Sequence, residues 1–444
     1  FLNLRQSPQA KALRHLFFTE RKTKPPTCIS KITVDTPNQV VVVGGGIMGT
    51  GIAYSFLQAG LPVTIIEANE RSVQKAIKSG ESLTQKSVAQ GHISADQAKE
   101  MYDSLEVTSN YNAAKKADLA IEAVSEDIEL KINVFRKLET VMAKDAILAT
   151  NTSYLDINQI ADALNNPRRL IGLHFFVPAH IMKLLEIIRG HQSSKKALAT
   201  GYVVAKVLKK TPVLSGVCEG FIGNRILSSQ REAADTLLLT GSTPSEVDKA
   251  MENFGYKIGP YKAQDMSGLD IAFANRRRKD ETRDPNRRYV EIADKLVQSG
   301  RLGRKTNAGW YSYSEEGIPR YDKFVDKIIL AESENASITR RTFTMDEIQR
   351  RLILSMINEA AKILSEKIAQ STLDIDLVTV LGYGFPRWRG GLMHHANNIG
   401  WKYIFESLEK LCREDEIFWK PSDFIFCQIE KKIFPLHFNH ISPR

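Results

Sequence analysis

A histidine and a glutamate in two neighbouring apolar stretches are the residues best suited to acid–base chemistry. His174 follows the apolar run 170–173, and Glu186 lies twelve residues later inside the run 184–188. An imidazole titrates near neutral pH and can take a proton from a hydroxyl group. A carboxylate in an apolar strand needs a partner, and pairing with His174 would fix the imidazole tautomer and stabilise the imidazolium. Spacing alone leaves a purely structural pair in the core equally open.

Two polar side chains are candidates for contact with a reacting oxygen. Ser153 follows the apolar run 146–150, and Asn224 lies in the sequence GFIGNR. Each also has a simpler interpretation, because serine and asparagine are common caps at the N-termini of helices. At this point both interpretations stay open.

The elements that would position these side chains begin with a glycine-rich turn. Four valines at 40–43 predict a strand buried on both faces, glycines follow in the pattern G-x-G-x-x-G, and an apolar helical run comes next. In this context the pattern is typical of a dinucleotide-binding turn, where the pyrophosphate lies at the N-terminus of the helix. The predicted cofactor-binding residues of the turn are Gly44, Gly46, Ile47, Met48 and Gly49.

An acidic residue after the second predicted strand indicates which dinucleotide binds. The strand at 62–66 ends in Glu67, 23 residues after Gly44. A carboxylate here can bind both ribose hydroxyls and would repel a 2′-phosphate, which favours NAD over NADP, although Arg71 weakens that preference. We therefore predict NAD as the cofactor. The simpler alternative is a turn and a surface acid in an ordinary α/β fold.

The wider pattern predicts an α/β fold of the Rossmann type followed by helical domains. From about 39 to 215 predicted strands alternate with helices, including one long polar helical stretch at 70–103, which indicates a doubly wound, mostly parallel sheet. Beyond 216 the pattern is helical and two stretches resemble each other. Glu232 precedes Gly255-Tyr256 as Glu359 precedes Gly382-Tyr383, at a constant offset of 127. This repeat predicts two all-α C-terminal domains.

The predicted domain boundaries follow from these shifts of pattern. They are a linker helix and linker at 1–37, the NAD-binding domain at 38–215, a first helical domain at 216–315, a second at 340–423, and a divergent tail at 424–444. The linker helix is predicted at 8–22 with Ala10, Leu13 and Phe17 on its apolar face. The chain begins with Phe1 and not with methionine, which predicts a processed product or a fragment.

Composition narrows the partners. The chain has 444 residues, 43% of them apolar and 25% charged, and a net charge of +10. No apolar run is long enough to span a membrane. The positive charge would attract an anionic ligand such as a nucleotide or coenzyme A, although a solvated basic surface has the same charge. The basic run at 276–279 lacks interleaved aromatic residues, so we interpret it as a solvated loop and not as a nucleic-acid site. The four cysteines predict free thiols in a reducing compartment and no metal site.

Several motifs resemble the 3-hydroxyacyl-CoA dehydrogenase family over about 39–423. Within that family the resemblance is greatest to the dehydrogenase half of peroxisomal bifunctional enzymes, which also carry an enoyl-CoA hydratase. The motifs are GGGIMGTGIA from Gly44, NTS from Asn151, HFFVPAH from His174, LLEIIRG from Leu184, EGFIGNR from Glu219, RLGRKTNAGWYSY from Arg301 and GYGFPRWRGG from Gly382.

The resemblance implies a role for each candidate side chain. The implied residues are His174 as the base, Glu186 as its partner, Ser153 and Asn224 as substrate contacts, and Glu126 and Lys131, in the helix after 121–123, as cofactor contacts with Ser153. The implied substrate is an acyl-CoA thioester, bound between the nucleotide and helical domains. The implied compartment is the peroxisome, although a terminal S-K-L-type signal is missing.

The resemblance also carries expectations about assembly and about departures from the pattern. Monofunctional relatives pair their helical domains in a dimer, so the second helical copy here predicts a monomer. A hydratase half is expected upstream of this chain. Val177 stands where the family usually has a polar residue, and valine cannot make that hydrogen bond. Two alternatives stay open: a β-hydroxyacid dehydrogenase that uses a lysine base on free acids, and a non-catalytic subunit that binds NAD or coenzyme A.

Overall fold

The computed structural model describes residues 2–433 of the chain. These residues divide into two compact units. The first unit contains residues 15–224 and 367–383, and the second contains the other described residues.

Among the described residues, an eight-stranded sheet forms the centre of the first unit. Its strands are β1 (Val40–Val43), β2 (Val63–Ile66), β3 (Leu105–Thr108), β4 (Leu119–Glu122), β5 (Ile147–Thr150), β6 (Leu170–Phe175), β7 (Leu184–Ile188) and β8 (Thr211–Ser215). They lie in the order β3-β2-β1-β4-β5-β6-β7-β8, and only the pairing of β6 with β7 is antiparallel. The order reverses between β1 and β4, which is where such sheets bind ligands. The predicted Rossmann-type α/β fold is confirmed.

The valine run of β1 is explained by burial on both faces of the sheet. Val40 and Val42 belong to one hydrophobic cluster, whereas Val41 and Val43 belong to a second cluster on the opposite face. Successive side chains of a strand point to opposite faces, so a central parallel strand needs apolar residues at every position. This packing fixes the start of the glycine turn that follows β1.

Helices precede the sheet in the chain and alternate with its strands. They are α1 (Leu2–Gln6), α2 (Pro8–Arg21), α3 (Thr27–Ser30), α4 (Ile47–Gln58), α5 (Glu70–Ala89), α6 (Ala95–Asp103), α7 (Ile128–Val141), α8 (Ile157–Asp162) and α9 (Lys195–Val207), with 3₁₀ turns at Tyr111–Lys116 and Pro167–Arg169. The prediction of one helical stretch over 70–103 is wrong in detail. Gly91 has φ +70, and Ser94 forms a capping box with Gln97, so one helix ends and a second begins.

The apolar face predicted for the N-terminal helix is also wrong. In α2 the buried residues are Ala12, Leu16 and Thr19, whereas Leu13 is 47% exposed and Phe17 is 48% exposed. The helix carries apolar residues on more than one stripe, and tertiary contacts decide which stripe is buried. His15, beside the buried stripe, binds the carboxylate of Asp376 at 2.8 Å.

The second unit is helical apart from a short two-stranded ribbon. Its elements are α10 (Gly223–Thr240), α11 (Pro244–Phe254), α12 (Pro260–Ser267), α13 (Leu269–Arg278), α14 (Ile292–Gln298), β9 (Ser312–Tyr313), β10 (Pro319–Arg320), α15 (Lys323–Asn335) and α16 (Met345–Ser365). The chain continues through α17 (Thr372–Tyr383), α18 (Leu392–Ile399), α19 (Trp401–Cys412), α20 (Glu416–Trp419) and α21 (Asp423–Ile433), with 3₁₀ turns at Arg304–Thr306 and Arg387–Arg389. Helix α17 and the first two residues of α10 belong to the first unit.

The order of helices repeats along this half of the chain. A long helix and a shorter one, α10 and α11, are matched by α16 and α17. The pair α12 and α13 is separated by Gly268 with φ +94, and the pair α18 and α19 by Gly400 with φ +100. The tail predicted from 424 begins inside α21, and its residues 434–444 lie outside the described residues.

The basic run is not the solvated loop that the sequence predicted. Arg276 and Arg277 lie in the last turn of α13, and both bind the buried carboxylate of Asp294 at 2.6 Å. Further along, Arg287 binds Glu232 at 2.7 Å. The run is therefore the end of a helix in which two arginines share one buried carboxylate, while Arg277 stays 41% exposed.

Candidate active site

Two of the three motif glycines are required by the protein itself. Gly44 has φ +97, and a Cβ there would lie 2.8 Å from the carbonyl oxygen of Ala123. A Cβ on Gly49 would lie 1.7 Å from the carbonyl oxygen of Gly44. A Cβ on Gly46, by contrast, would have no atom within 4 Å. The space beside Gly46 therefore fits the close approach of a ligand, as expected for a pyrophosphate.

The turn delivers the start of helix α4 to the same place. Gly46 is the N-cap, with no side chain to bind the first N–H groups, and Ile47 is 85% exposed. The first N–H groups of a helix have no partner within the helix and favour an anion. Met48 is half-buried in the same first turn. These features suit the phosphates of a dinucleotide.

Glu67 lies beside the turn, immediately after β2. Its Oε1 accepts a hydrogen bond from the Gly45 N–H at 2.6 Å, and the side chain is half-buried. The contact places the carboxylate at the carboxyl end of the sheet, next to the nucleotide turn. A ribose bound there would meet its oxygens.

The structure pairs His174 with Glu186. The two residues are direct partners in the antiparallel ladder of β6 and β7. Their side chains are 4% and 0% exposed, and His174 Nδ1 lies 2.7 Å from Glu186 Oε2. Within the described part of the chain, His174 Nε2 has no hydrogen-bond partner. The pair can therefore hold the imidazole by one nitrogen and present the other.

The second oxygen of Glu186 contacts the start of a helix. Glu186 Oε1 accepts the N–H of Gly223 at 3.1 Å, and Gly223 begins α10. A carboxylate at the positive end of a helix is favourable. Glu186 therefore fixes His174 and the segment carrying Asn224 together.

Ser153 and Asn224 lie close to each other at this site. Asn224 Nδ2 is 3.5 Å from the carbonyl oxygen of Ser153, at the outer limit for a hydrogen bond. Asn224 Oδ1 accepts the hydroxyl of Tyr383 at 2.7 Å. The Ser153 hydroxyl has no partner among the residues that the structure describes. Asn224 is the second residue of α10, so the simpler interpretation of it as an N-cap does not hold.

Glu126 and Lys131 form a network beneath the loop that carries Ser153. Glu126, which precedes α7 and is not inside it, accepts hydrogen bonds from Thr152 Oγ1 and from the N–H groups of Ser153 and Tyr154. Lys131 is 1% exposed, and its Nζ lies 3.3 Å from Glu126 Oε2. Burial acts to raise the pKa of Glu126, but Lys131 and these hydrogen bonds outweigh it, so that pKa is lowered. Glu126 thus binds the Ser153 backbone directly, and Lys131 binds Glu126. That Glu126 and Lys131 contact the cofactor stays a prediction.

Sequence reasoning missed the centre of that network. Glu122, at the end of β4, is fully buried and accepts Lys131 Nζ at 2.6 Å and Thr150 Oγ1 at 2.7 Å. Burial raises the pKa of Glu122, and the Lys131 ammonium opposes that rise. An acidic residue at the end of an apolar strand was a usable signal, as it was for Glu186.

A buried lysine, also missed, supports the connection between β6 and β7. Lys210 Nζ donates to the carbonyl oxygens of Ala179 and Met182, each at 2.6 Å. Burial lowers the pKa of Lys210 to about 8. The loop it supports includes Val177, whose side chain is 63% exposed. Valine therefore presents an apolar surface at the position where a polar contact was expected.

The described residues contain neither a metal cluster nor a membrane-spanning helix. Among residues 2–433, no cluster of three or more His, Cys, Asp or Glu side chains could hold a metal ion. Over the same residues, no helix is long and apolar enough to cross a membrane.

Comparison with known proteins matches these features to one family. The NAD-binding domain of 3-hydroxyacyl-CoA dehydrogenase matches residues 39–218, and the C-terminal domain of the same family matches residues 220–313. The peroxisomal bifunctional enzyme of Cavia porcellus is 39% identical over 94% of this chain and 60% of its own length. This chain thus spans about three fifths of the length of the curated relatives it matches.

Solved structures of dehydrogenases are also similar to this chain. The dehydrogenase part of multifunctional enzyme 1 from C. elegans is 27% identical with a TM-score of 0.67, over 93% of this chain and 96% of that one. The 3-hydroxybutyryl-CoA dehydrogenase of Escherichia coli has a TM-score of 0.77 at 23% identity, over 91% of this chain and 100% of that one, which shows the shared fold. The prediction of NAD as the cofactor is confirmed for the family domain that residues 39–218 match.

Proposed function

This chain belongs to the 3-hydroxyacyl-CoA dehydrogenase family, and from that premise we propose that it oxidises L-3-hydroxyacyl-CoA to 3-ketoacyl-CoA with NAD in fatty-acid β-oxidation. The observation that carries the proposal is the buried pair of His174 and Glu186, which leaves His174 Nε2 without a partner in the described chain. The family whose two domains match residues 39–218 and 220–313 is named for 3-hydroxyacyl-CoA, which supports the substrate class.

The reaction removes a proton from the hydroxyl oxygen and a hydride from the carbon that bears it. His174 takes the proton at Nε2, while Glu186 accepts the Nδ1–H and stabilises the imidazolium that forms. When bound, NAD supplies the acceptor for the hydride. Ser153 and Asn224 position the reacting oxygen by hydrogen bonds, so that the carbon faces the cofactor.

The chain's own groups also hold the dinucleotide. Gly46 and the first turn of α4 bind the pyrophosphate, because the backbone there is open and its N–H groups are unpaired within the helix. Glu67 binds the ribose hydroxyls. Glu126 and Lys131 shape the neighbouring loop 152–154, which brings Ser153 to the cofactor and the substrate.

An assay of NADH oxidation with acetoacetyl-CoA tests this function. In this direction the reaction is a reduction, and His174 as imidazolium returns the proton to the carbonyl oxygen. We expect turnover by the wild-type chain and a loss of about 100- to 10,000-fold in His174→Gln, because this acid–base help is removed. A matched control is His15→Gln, since His15 pairs with Asp376 in a different part of the same unit. That variant is expected to keep the wild-type rate.

Three results would contradict the proposal in different ways. Tight NADH binding without turnover would indicate the non-catalytic subunit. Turnover of acetoacetate but not of its CoA ester would indicate a dehydrogenase for free acids. Equal loss of rate in His174→Gln and His15→Gln would show that the His174 pair has no special role.

We also propose that the chain is a monomer. Ser229 Oγ donates to the Ser355 carbonyl oxygen at 3.2 Å, and Gln230 Nε2 lies 3.2 Å from Met356 Sδ. The members of each pair are 126 positions apart, close to the offset of the repeat. In a two-fold dimer, equivalent residues contact each other in this way. Here the contacts join α10 to α16 of one chain, so a second chain is not needed. Light scattering that finds an obligate dimer would contradict this.

We further propose a peroxisomal setting with an enoyl-CoA hydratase as the neighbouring activity. The names of the curated relatives support the peroxisomal setting and a second activity, and their greater length leaves room for a second catalytic half. That this second activity is a hydratase rests on the resemblance of the sequence motifs alone. Fractionation of cells with an antibody to this chain would test the compartment. Recovery outside peroxisomes would contradict it.

A further inference from the structure

Tyr383 reaches the candidate site from the repeated helical stretch. It is the last residue of α17, which packs against β7 and β8. The backbone comes very close to the strand that carries Glu186, since a Cβ on Gly382 would lie 2.9 Å from the side chain of Leu184. The end of α17 is thus closely packed against β7, the strand that carries Glu186.

Two contacts of Tyr383 lead to site residues. Its hydroxyl donates to Asn224 Oδ1 at 2.7 Å. Its ring meets the ring of Phe176 edge to face, with centroids 5.6 Å apart. The ring of Phe176 in turn packs against the His174 imidazole, with ring centroids 4.7 Å apart. Tyr383 therefore touches Asn224 directly and borders the residue that packs on the base.

The glycine before Asn224 is fitted to the tyrosine ring. A Cβ on Gly223 would lie 2.5 Å from the Cε2 atom of Tyr383. The N–H of the same glycine binds Glu186. Gly223 thus leaves room for the ring and at the same time connects the helix to the carboxylate.

The hydroxyl contact decides which end of the Asn224 amide faces the site. An asparagine amide has an accepting oxygen and a donating NH₂ group. Since Tyr383 donates to Oδ1, the NH₂ group lies on the other side, 3.5 Å from the Ser153 carbonyl oxygen. Without that donor, a half-turn of the amide would present an acceptor to the oxygen of a substrate.

We propose that Tyr383 is a positioning residue, which orients the Asn224 amide so that its NH₂ group donates to the reacting oxygen. The inference rests on the proposed dehydrogenase function and adds to it a side chain from the second helical repeat. It gives that repeat a role in the site formed by the first part of the chain.

The first repeat supplies a natural comparison. Tyr256, 127 residues earlier, is the tyrosine of the other Gly-Tyr pair. Its ring lies among Phe254 and Phe385, and its hydroxyl is 3.8 Å from Met356 Sδ. It is an apolar packing residue, and Tyr256→Phe is therefore a matched control for the same chemical change.

The experiment compares Tyr383→Phe, Tyr256→Phe, Asn224→Ala and the double variant Tyr383→Phe/Asn224→Ala. We expect Tyr383→Phe to lower kcat with acetoacetyl-CoA by about five- to tenfold, the value of about one hydrogen bond. Its NADH dissociation constant and melting temperature should stay at the wild-type values. Tyr256→Phe should leave kcat unchanged. In the Asn224→Ala background, Tyr383→Phe should cause no further loss, because Tyr383 acts through Asn224.

Each contrary result has a distinct meaning. A wild-type kcat in Tyr383→Phe, or the same loss with and without Asn224, would overturn the inference while leaving the function intact. A parallel fall in NADH affinity or melting temperature would show a structural role and would also overturn it. Absence of turnover in the wild-type chain would overturn the function and this inference together.

Discussion

Two histidine–carboxylate pairs of similar geometry have different surroundings in the first unit, and a catalytic role is proposed for only one of them. His174 Nδ1 lies 2.7 Å from Glu186, and His15 Nε2 lies 2.8 Å from Asp376. Both carboxylates are buried, so neither the distance nor the burial of the carboxylate separates the pairs, although the His15 side chain is 23% exposed and that of His174 is 4% exposed. The separating feature is the nitrogen that is engaged. In the first pair the carboxylate binds Nδ1 of His174, so Nε2 at the tip of the ring points away from it. In the second pair the carboxylate binds Nε2 of His15.

The surroundings of the two carboxylates extend the contrast. Glu186 sits in a strand and also binds the N–H of Gly223, at the start of the helix that carries Asn224. Asp376 lies inside α17, and its bond to His15 joins that helix to α2. A buried pair is therefore informative about catalysis when its carboxylate also organises other site residues. The same pair elsewhere is a cross-link between helices.

The largest expected effect comes from Glu186→Gln set against Asp376→Asn. A glutamine NH₂ facing His174 would donate to Nδ1, so the neutral ring would carry its proton on Nε2 and could not accept the hydroxyl proton. The imidazolium, which donates the proton in the reduction of acetoacetyl-CoA, would lose its stabilising carboxylate. We expect kcat with acetoacetyl-CoA to fall by about 100- to 10,000-fold. Asp376→Asn should keep the wild-type kcat and lose some thermal stability. Steady-state kinetics with melting curves would measure both.

The outcome that would break this comparison is simple to recognise. If Asp376→Asn lost as much activity as Glu186→Gln, the free ring nitrogen would not be the distinguishing feature. Circular dichroism of each variant would establish that the loss does not come from unfolding.

Two glycines of the nucleotide turn also differ in their surroundings. Gly49→Ala should destabilise the fold, because its Cβ would lie 1.7 Å from the Gly44 carbonyl oxygen. Gly46→Ala should fold normally, since no protein atom lies within 4 Å of the added carbon. We expect Gly46→Ala to weaken NADH binding by about 10- to 100-fold, for about 1–3 kcal/mol of steric cost. Fluorescence titration would measure it, and unchanged affinity would show that the phosphates bind elsewhere.

What the sequence predicted correctly depends on short-range patterns. The glycine turn and β1 are encoded by contiguous residues, and the pairing of His174 with Glu186 needs only two neighbouring strands. The contact of Tyr383 with Asn224 joins residues 159 positions apart, and no local pattern contains that distance. A repeated Gly-Tyr was visible in the sequence, but the two tyrosine hydroxyls have different partners. The Tyr256 hydroxyl faces the Met356 sulfur, whereas the Tyr383 hydroxyl donates to the Asn224 amide oxygen.

The wrong or missing structural predictions concern features that a short stretch of sequence does not contain. The edge strand β3 was not predicted, because it has partly exposed residues and lacks the apolar run that identified the central strands. In α2, more than one stripe was apolar, and contacts far along the chain selected Ala12 and Leu16 for burial. The arginines at the end of α13 are neutralised by Asp294, which a count of local charge does not include.

A buried carboxylate of the second unit tests whether burial alone predicts catalysis. Asp265 is 1% exposed and accepts the N–H groups of Trp310 and Tyr311 and the hydroxyl of Tyr313. Both of its oxygens are used by this loop. Asp265→Asn would turn an NH₂ group toward those donors, at a cost of about 2–4 kcal/mol of unfolding free energy. We expect a lower melting temperature with an unchanged kcat per folded molecule. A loss of kcat without loss of stability would place Asp265 among the functional carboxylates.

The smallest expected effect is a pH dependence of stability from Asp248. Burial raises its pKa to about 6, against the hydrogen bonds that it accepts from Tyr311, Tyr261 and Lys262. The folded state therefore binds this proton more tightly than the unfolded chain does. The resulting contribution to stability is complete below about pH 4 and is lost as the pH rises through about 6. Between pH 5 and 7 the melting temperature of the wild type should therefore fall relative to that of Asp248→Asn, which has no proton to lose. A constant difference between the two melting temperatures across this range would contradict the raised pKa.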